Sequence, residues 1–289
     1  MKTSISMISN VSKQSEEPVI VLELGHADKN YWNDLWRFRE LFLILAWRDL
    51  SVRYKQTVIG VVWAILRPLL TMVVFTVIFG RLAKLPSDGN TPYALLVFAA
   101  MLPWTLFATS LSDASNSLIG NANLISKVYF PRLIIPTATI VTAFADFLIS
   151  FVILLALMLY YRFAPGWNML LLPLFMLIAM LASLGPGLWI TALNVKYRDF
   201  RYVIPFVVQF GLYVSPVGFS SNVVPEKWRL LYSLNPIVGV IDGFRWCILG
   251  GDSPIYWPGF ALSLVVVAFF LWLGVSQFRK MEKTFADMI

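Results

Sequence analysis

Charge, cysteine and histidine are scarce in this sequence, and a phosphate-binding loop is missing. Aspartate, glutamate, lysine and arginine make up 13% of the 289 residues, against 58% hydrophobic residues. A soluble domain carries about a quarter charged residues. Half that share leaves too little polar surface to coat a globule, and mean hydropathy is +0.73. The one cysteine, Cys247, excludes an intramolecular disulfide, and the one histidine, His26, excludes a histidine-cluster metal site. No G-x-x-x-x-G-K-[ST] stretch occurs, nor H-E-x-x-H, nor a His-containing triad. No catalytic residue and no metal ligand is therefore expected on the chain. Any uphill work would draw on an ion gradient or on another subunit.

What is present is apolar sequence in long runs. Six stretches, at about 20 residues each, are long enough to cross a hydrocarbon core: 61–80, 93–111, 136–160, 169–193, 202–219 and 255–278. They predict an all-α polytopic membrane protein with six transmembrane helices per protomer. Basic residues set the orientation. With the N-terminus inside, sixteen of the 23 lysines and arginines fall on the cytoplasmic side and six outside, with Arg67 within a span. Both termini are thus expected in the cytoplasm, as tails over 1–33 and 279–289. The N-terminal 29 residues have no apolar core, so no cleavable signal peptide is expected. The formal charge of +7 reads as basic residues at the cytoplasmic face, not as nucleic-acid binding.

Three connecting segments stand out. Before the first span, residues 34–60 hold an apolar core (41–47) too short to cross, flanked by charges including Arg48, Asp49, Arg53 and Lys55. Trp32, Trp36 and Trp47 suit the headgroup layer, so this is read as an amphipathic interface helix. The competing reading is a soluble helix packed under the bundle. Between spans two and three, Asn121 or Asn123 can cap a short helix that Pro131 ends. Lys127, Tyr129, Phe130 and Arg132 give this segment the cations and aromatic rings of a protein contact; the competing reading is snorkelling at the membrane surface. Between spans five and six, Pro225 opens a helix over 225–234, and Asn235-Pro236 caps a second over 236–249 that ends at Gly250-Gly251. Neither comfortably spans, and a seventh span would put Arg279, Lys280 and Lys283 outside. Two re-entrant helices on the outer side follow, as a candidate lid.

Charges within spans are costly and are usually paired or face a cavity. Arg67, Asp113 and Asp146 are expected at similar depth, with Arg67 pairing to one of the two carboxylates. A proton relay through Asp113 and Asp146 is the alternative. Among the aromatic residues, Phe75, Phe79, Trp104, Phe107, Phe210 and Tyr213 in spans one, two and five could wall a passage, since aromatic rings suit the apolar faces of sugars. The plainer reading of any one of them is a lipid-facing anchor.

Several motifs occur in order. The first is Arg48-Asp49-Leu50-Ser51-Val52-Arg53-Tyr54-Lys55-Gln56-Thr57-Val58-Ile59-Gly60, with Trp63 and Pro68 after it. The second is Asn123-Leu124-Ile125-Ser126-Lys127-Val128-Tyr129-Phe130-Pro131-Arg132, with Pro136 and Asp146-Phe147. Tyr197-Arg198-Asp199-Phe200-Arg201, Ser215-Pro216-Val217 and Leu234-Asn235-Pro236 follow. Over residues 36–283 the chain resembles the permeases of type-2 ABC transporters that export polysaccharides, O-antigen exporters among them. The resemblance implies a homodimer in the bacterial inner membrane that moves a lipid-linked polysaccharide. Two copies of a separate cytoplasmic ABC ATPase would bind ATP and magnesium, and no cofactor would sit on this chain. The segment around 127–132 would be the coupling helix that docks on the ATPase. Arg48 to Gln56, with Asp49, Arg53, Tyr54 and Lys55, would be part of the interface helix, joined to span one at Gly60. The two outer helices would form a periplasmic gate, including Trp228, Tyr232, Asn235, Pro236, Phe244, Arg245 and Trp246. An ion-coupled secondary transporter is the alternative from another class. A membrane glycosyltransferase, for which Asp199 is the one nearby carboxylate, is a third.

Overall fold

In the computed structural model the described residues are 31–55, 58–89, 91–197, 199–250 and 253–285. Among them the regular elements are helices, with no strand. Two short elements lead in, α1 (Tyr31–Arg37) and α2 (Arg39–Tyr54). The first long helix, α3 (Val58–Phe75), continues as a π-helical stretch, Thr76–Leu82. Next come α4 (Tyr93–Gly120), the single turn α5 (Ala122–Ile125) and α6 (Ile134–Tyr160). A 3-10 turn, Trp167–Leu171, leads into α7 (Leu172–Lys196). The chain then forms α8 (Phe200–Val214), α9 (Glu226–Tyr232), α10 (Pro236–Leu249) and α11 (Trp257–Glu282).

Among the described residues, five segments are long and apolar enough to cross a membrane: Val62–Leu82, Tyr93–Gly120, Ile134–Tyr160, Trp167–Lys196 and Trp257–Glu282. They coincide with five of the six expected runs. The remaining run, 202–219, forms the 15-residue α8, about 22 Å long at 1.5 Å per residue. Its end has a local cause. Ser215 is extended (φ −82°, ψ 153°) because it precedes Pro216, whose ring disfavours a helical predecessor. Helix α4 outruns expectation instead. Its 28 residues measure about 42 Å, longer than a hydrocarbon core of about 30 Å.

Helix α4 is the axis of the bundle. It packs on α6, α7, α10, α3 and α8, and from Ala94 to Leu102 it has no exposed side chain. Helices α7 and α11 approach each other closely. A Cβ on Gly274 would stand 2.0 Å from the Gly185 carbonyl oxygen, so the two backbones touch and only glycine fits. Pro68, Pro103, Pro186 and Pro205 all lie inside helices. Neighbouring helices in a bundle accommodate the backbone groups they free.

The main core runs through the bundle. A second cluster gathers under one end: Tyr31, Leu45 and Ala46 with Leu118, Ile125, Phe130 and Leu133, then Val195, Phe278 and Phe285. This charged end collects α1, α2, α5, the start of α6 and the ends of α4, α7 and α11. Helices α9 and α10 belong to the opposite end.

Candidate functional site

At the charged end, α5 and the turn after it form a tip. Asn123, Ser126, Lys127, Val128 and Tyr129 are exposed, whereas Phe130 and Pro131 are buried. The tip is held from below. The Arg132 backbone N–H donates to Glu282 Oε1 at 2.7 Å, and its guanidinium donates to the Glu282 carbonyl. One residue at the end of α11, through its side chain and its backbone carbonyl, thus clamps the segment expected to meet a partner. Arg132 is an anchor of the tip, not part of its exposed surface. Beside it, the Arg279 guanidinium lies 4.6 Å from the centre of the buried Tyr31 ring. Burial, and then Glu282, push the Tyr31 hydroxyl above the ordinary phenol range.

Helix α2 connects this tip to the spans. Leu45 and Ala46 share the cluster of Ile125 and Phe130. Arg48 bonds Asp49 (2.6 Å) and donates to Asn121 Oδ1 (2.8 Å). Five residues further along, Arg53 reaches Asp113 (3.0 Å) and Asp146 (2.7 Å) together. Tyr54 donates to the other oxygen of Asp146. Burial, and then Asp146, hold the Tyr54 hydroxyl above its usual range, so it remains a donor. Contacts that move from 121 to 113 along α4 show that α2 climbs the side of the bundle against α6. Lys55 is exposed at its end.

This arrangement corrects the expected pairing of Arg67. Asp113 and Asp146 take Arg53, and Arg67 is exposed with no ion pair among the described residues. The cause is the climb of α2. The chain enters α3 already near the level of the carboxylates, and Arg67 stands about 14 Å beyond the start of α3. Gly60 lies in the first turn of α3 and is not a break between helices. Residues 56, 57 and 198 lie outside the described residues, as do 1–30 and 286–289 of the expected tails.

The opposite end is organised by α10. Asn235 Oδ1 accepts from the Ile237 N–H at 3.3 Å, so the expected cap forms, with Pro236 in the first turn. Gly250, at φ +70°, closes the helix in a conformation that favours glycine. Phe244 is fully buried against Phe147, and Trp246 is half-buried beside Phe175. Arg245 is 1% exposed and donates to three backbone carbonyls: Leu96 (3.3 Å), Phe219 (2.8 Å) and Val217 (3.2 Å). In α9, Tyr232 donates to the Val214 carbonyl at 2.7 Å, and Trp228 is exposed beneath Lys227. The sequence reading missed Asp88. Its carboxylate accepts from Ser253 (2.6 Å), Ser220 (3.1 Å) and Asn222 (3.3 Å), which ties the α3–α4 loop to the α9–α10 end. It also missed Glu282. No spacing pattern marks either carboxylate, since each finds its partners across the fold.

The six aromatic residues singled out for a passage divide. Phe75 and Trp104 are buried, at 5% exposure each: the Phe75 ring packs against Phe79 and Tyr213, and Trp104 lies against Gly211 of α8. They are core residues of the single chain, not its lining. Phe79 and Phe107 are half-buried, whereas Phe210 (60%) and Tyr213 (58%) are open. With Tyr202 and Phe206 they form one exposed stripe along α8, and Phe206 stacks on Phe210 at 5.9 Å.

A family model described as the ABC-2 type transporter matches residues 40–249. The chain is 29% identical over 258 residues to the O-antigen export system permease protein RfbA of Myxococcus xanthus, covering 89% of this chain and 98% of the relative. It is 26% identical over 257 residues to the RfbA protein of Klebsiella pneumoniae, covering 86% and 95%. Its identity to the inner membrane transport permease YadH of Escherichia coli K12 is 27% over 217 residues, covering 71% and 83%. The matched region runs from α2 through α10 and includes the climbing helix, the exposed tip and the buried Arg245. The chain is a multi-pass membrane protein of the ABC-2 type transporter family.

Proposed function

We propose that this chain is the permease subunit of an ATP-driven exporter that moves a lipid-linked polysaccharide, O-antigen or a related cell-surface glycan, across the bacterial inner membrane. The observation that carries the reading is the exposed tip at 126–129, held rigidly to the last span by Glu282 in a chain that lacks a nucleotide-binding loop. Two copies of the chain pair with two copies of a cytoplasmic ABC ATPase, which supplies the ATP and magnesium chemistry. The charged end is then cytoplasmic, with both termini on that side, and α8 serves as the short sixth span. Helices α9 and α10 are the re-entrant pair and form the periplasmic gate. The domain division follows: a tail over 1–33, the interface segment over 34–60, the transmembrane domain over 61–278 and a tail over 279–289.

The mechanism follows from the attachments. ATPase closure displaces the tip. Phe130 and the Arg132–Glu282 clamp pass the displacement to α11, which bears on α7, α9 and α10. Arg48 and Arg53 carry it to α2 and the start of α3. Across a dimer, the open stripe of Phe206, Phe210 and Tyr213 offers ring faces to a glycan. An ion-coupled transporter would instead move cargo without an ATPase and would need Asp113 or Asp146. The test is export in cells that keep this chain but carry an ATPase disabled in its phosphate-binding loop. Export should stop, and continued export would refute the reading.

A further inference from the structure

A groove of about 470 Å³ opens between α2 and α6, and none of the motions above uses it. From α2 it takes Trp47, Leu50, Ser51, Tyr54 and Lys55, which share one helix face at spacings of three and four. From α6 it takes Ala145, Leu148 and Ile149. Its volume falls in the range of small-ligand sites, about 300–1,000 Å³. The walls are apolar on the α6 side, where Leu148 and, one turn on, Val152 are open to the surroundings. The polar groups gather in the last turn of α2, where Ser51, Tyr54 and Lys55 meet. The other charges at this level are engaged, Arg53 with Asp113 and Asp146, and Arg48 with Asp49. Lys55 alone in the groove has no ion pair among the described residues.

An apolar trough on a membrane protein, with the Lys55 ammonium at its polar end, matches an anionic amphiphile. Basic pockets beside membrane helices hold acidic headgroups. We propose that this groove binds an anionic phospholipid, with its phosphate on Lys55 and an acyl chain along Leu148 and Ile149. The bound lipid touches Tyr54, whose hydroxyl holds Asp146, so it buttresses the joint between α2 and the bundle. The inference rests on the multi-pass membrane placement and not on the cargo, so its test needs no export.

The test is native mass spectrometry of the full chain from mild detergent, delipidated and then titrated with phosphatidylglycerol or phosphatidylcholine. Wild type should favour one phosphatidylglycerol per chain about fivefold, the worth of one basic residue at an acidic headgroup. Lys55→Gln should abolish that preference while some lipid still binds. Ala145→Phe, which fills the trough and leaves the lysine, should lose the bound lipid of either kind. Melting curves on the same samples identify any variant that fails to fold, and Ser51→Leu then serves as the second groove-filling change. Equal binding of the two lipids by wild type would overturn the proposal, as would unchanged retention in both the lysine and the filling variants. Loss of dimer without loss of lipid would do the same, by making the trough a contact between copies of the chain.

Discussion

Arg53 shows how one cation can hold two carboxylates in place. Asp113 and Asp146 sit on different helices, and without the guanidinium between them two like charges would face each other. The side chains are about one-third exposed, so each ion pair contributes at most about 1 kcal/mol. Arg53→Ala should therefore lower the melting temperature by about 2–4 °C. Replacing both carboxylates by asparagine in that background should recover part of the loss. Arg67→Ala should leave thermal stability unchanged, because its guanidinium pairs with nothing described in the chain. A melting shift for Arg67→Ala equal to that for Arg53→Ala would contradict the assignment. Arg245 is the opposite case, fully buried and bound to three carbonyls. Arg245→Leu orphans those acceptors, at about 1–3 kcal/mol each. The expected outcome is loss of folded protein on size-exclusion chromatography.

At the scale of elements, the sequence was legible wherever the signal was local. The apolar runs located five spans, and Asn235-Pro236 marked the start of α10 through its cap. Helix α4 ran past its expected end at 111 because Ser112 to Gly120 is polar only on part of its surface. Leu118, Ala114 and Ser115 are buried, so tertiary packing carries the helix on. The climb of α2 was not legible. Amphipathic patterning says that a helix has two faces, not whether its neighbour is a headgroup layer or α6. The Glu282 clamp was equally hidden, since it joins residues 150 positions apart. Two predictions belong here. Gly274→Leu should prevent α7 and α11 from packing and abolish folding, because the clash is with backbone and cannot be relieved by a rotamer change. Glu282→Ala should leave the spans intact by circular dichroism and make the 126–132 segment more open to protease. Equal cleavage in wild type and variant would contradict the clamp.

Across the whole molecule, the exposed and buried features fall at opposite ends. The charged end presents an exposed tip anchored by Glu282. The far end is sealed by α10, whose apolar residues and arginine are buried in the bundle. This polarity is what a permease needs if force arrives from outside the chain at one end and a passage opens at the other. The most direct measurement of that claim is co-purification of the tagged chain with its ATPase. Lys127→Glu with Val128→Asp alters the exposed tip and leaves Phe130, Arg132 and Glu282 in place. The account predicts that wild type brings the ATPase down in equal amount. The double variant should bring down little or none, at an unchanged melting temperature. An ATPase that stays bound in full to the folded double variant would contradict the account.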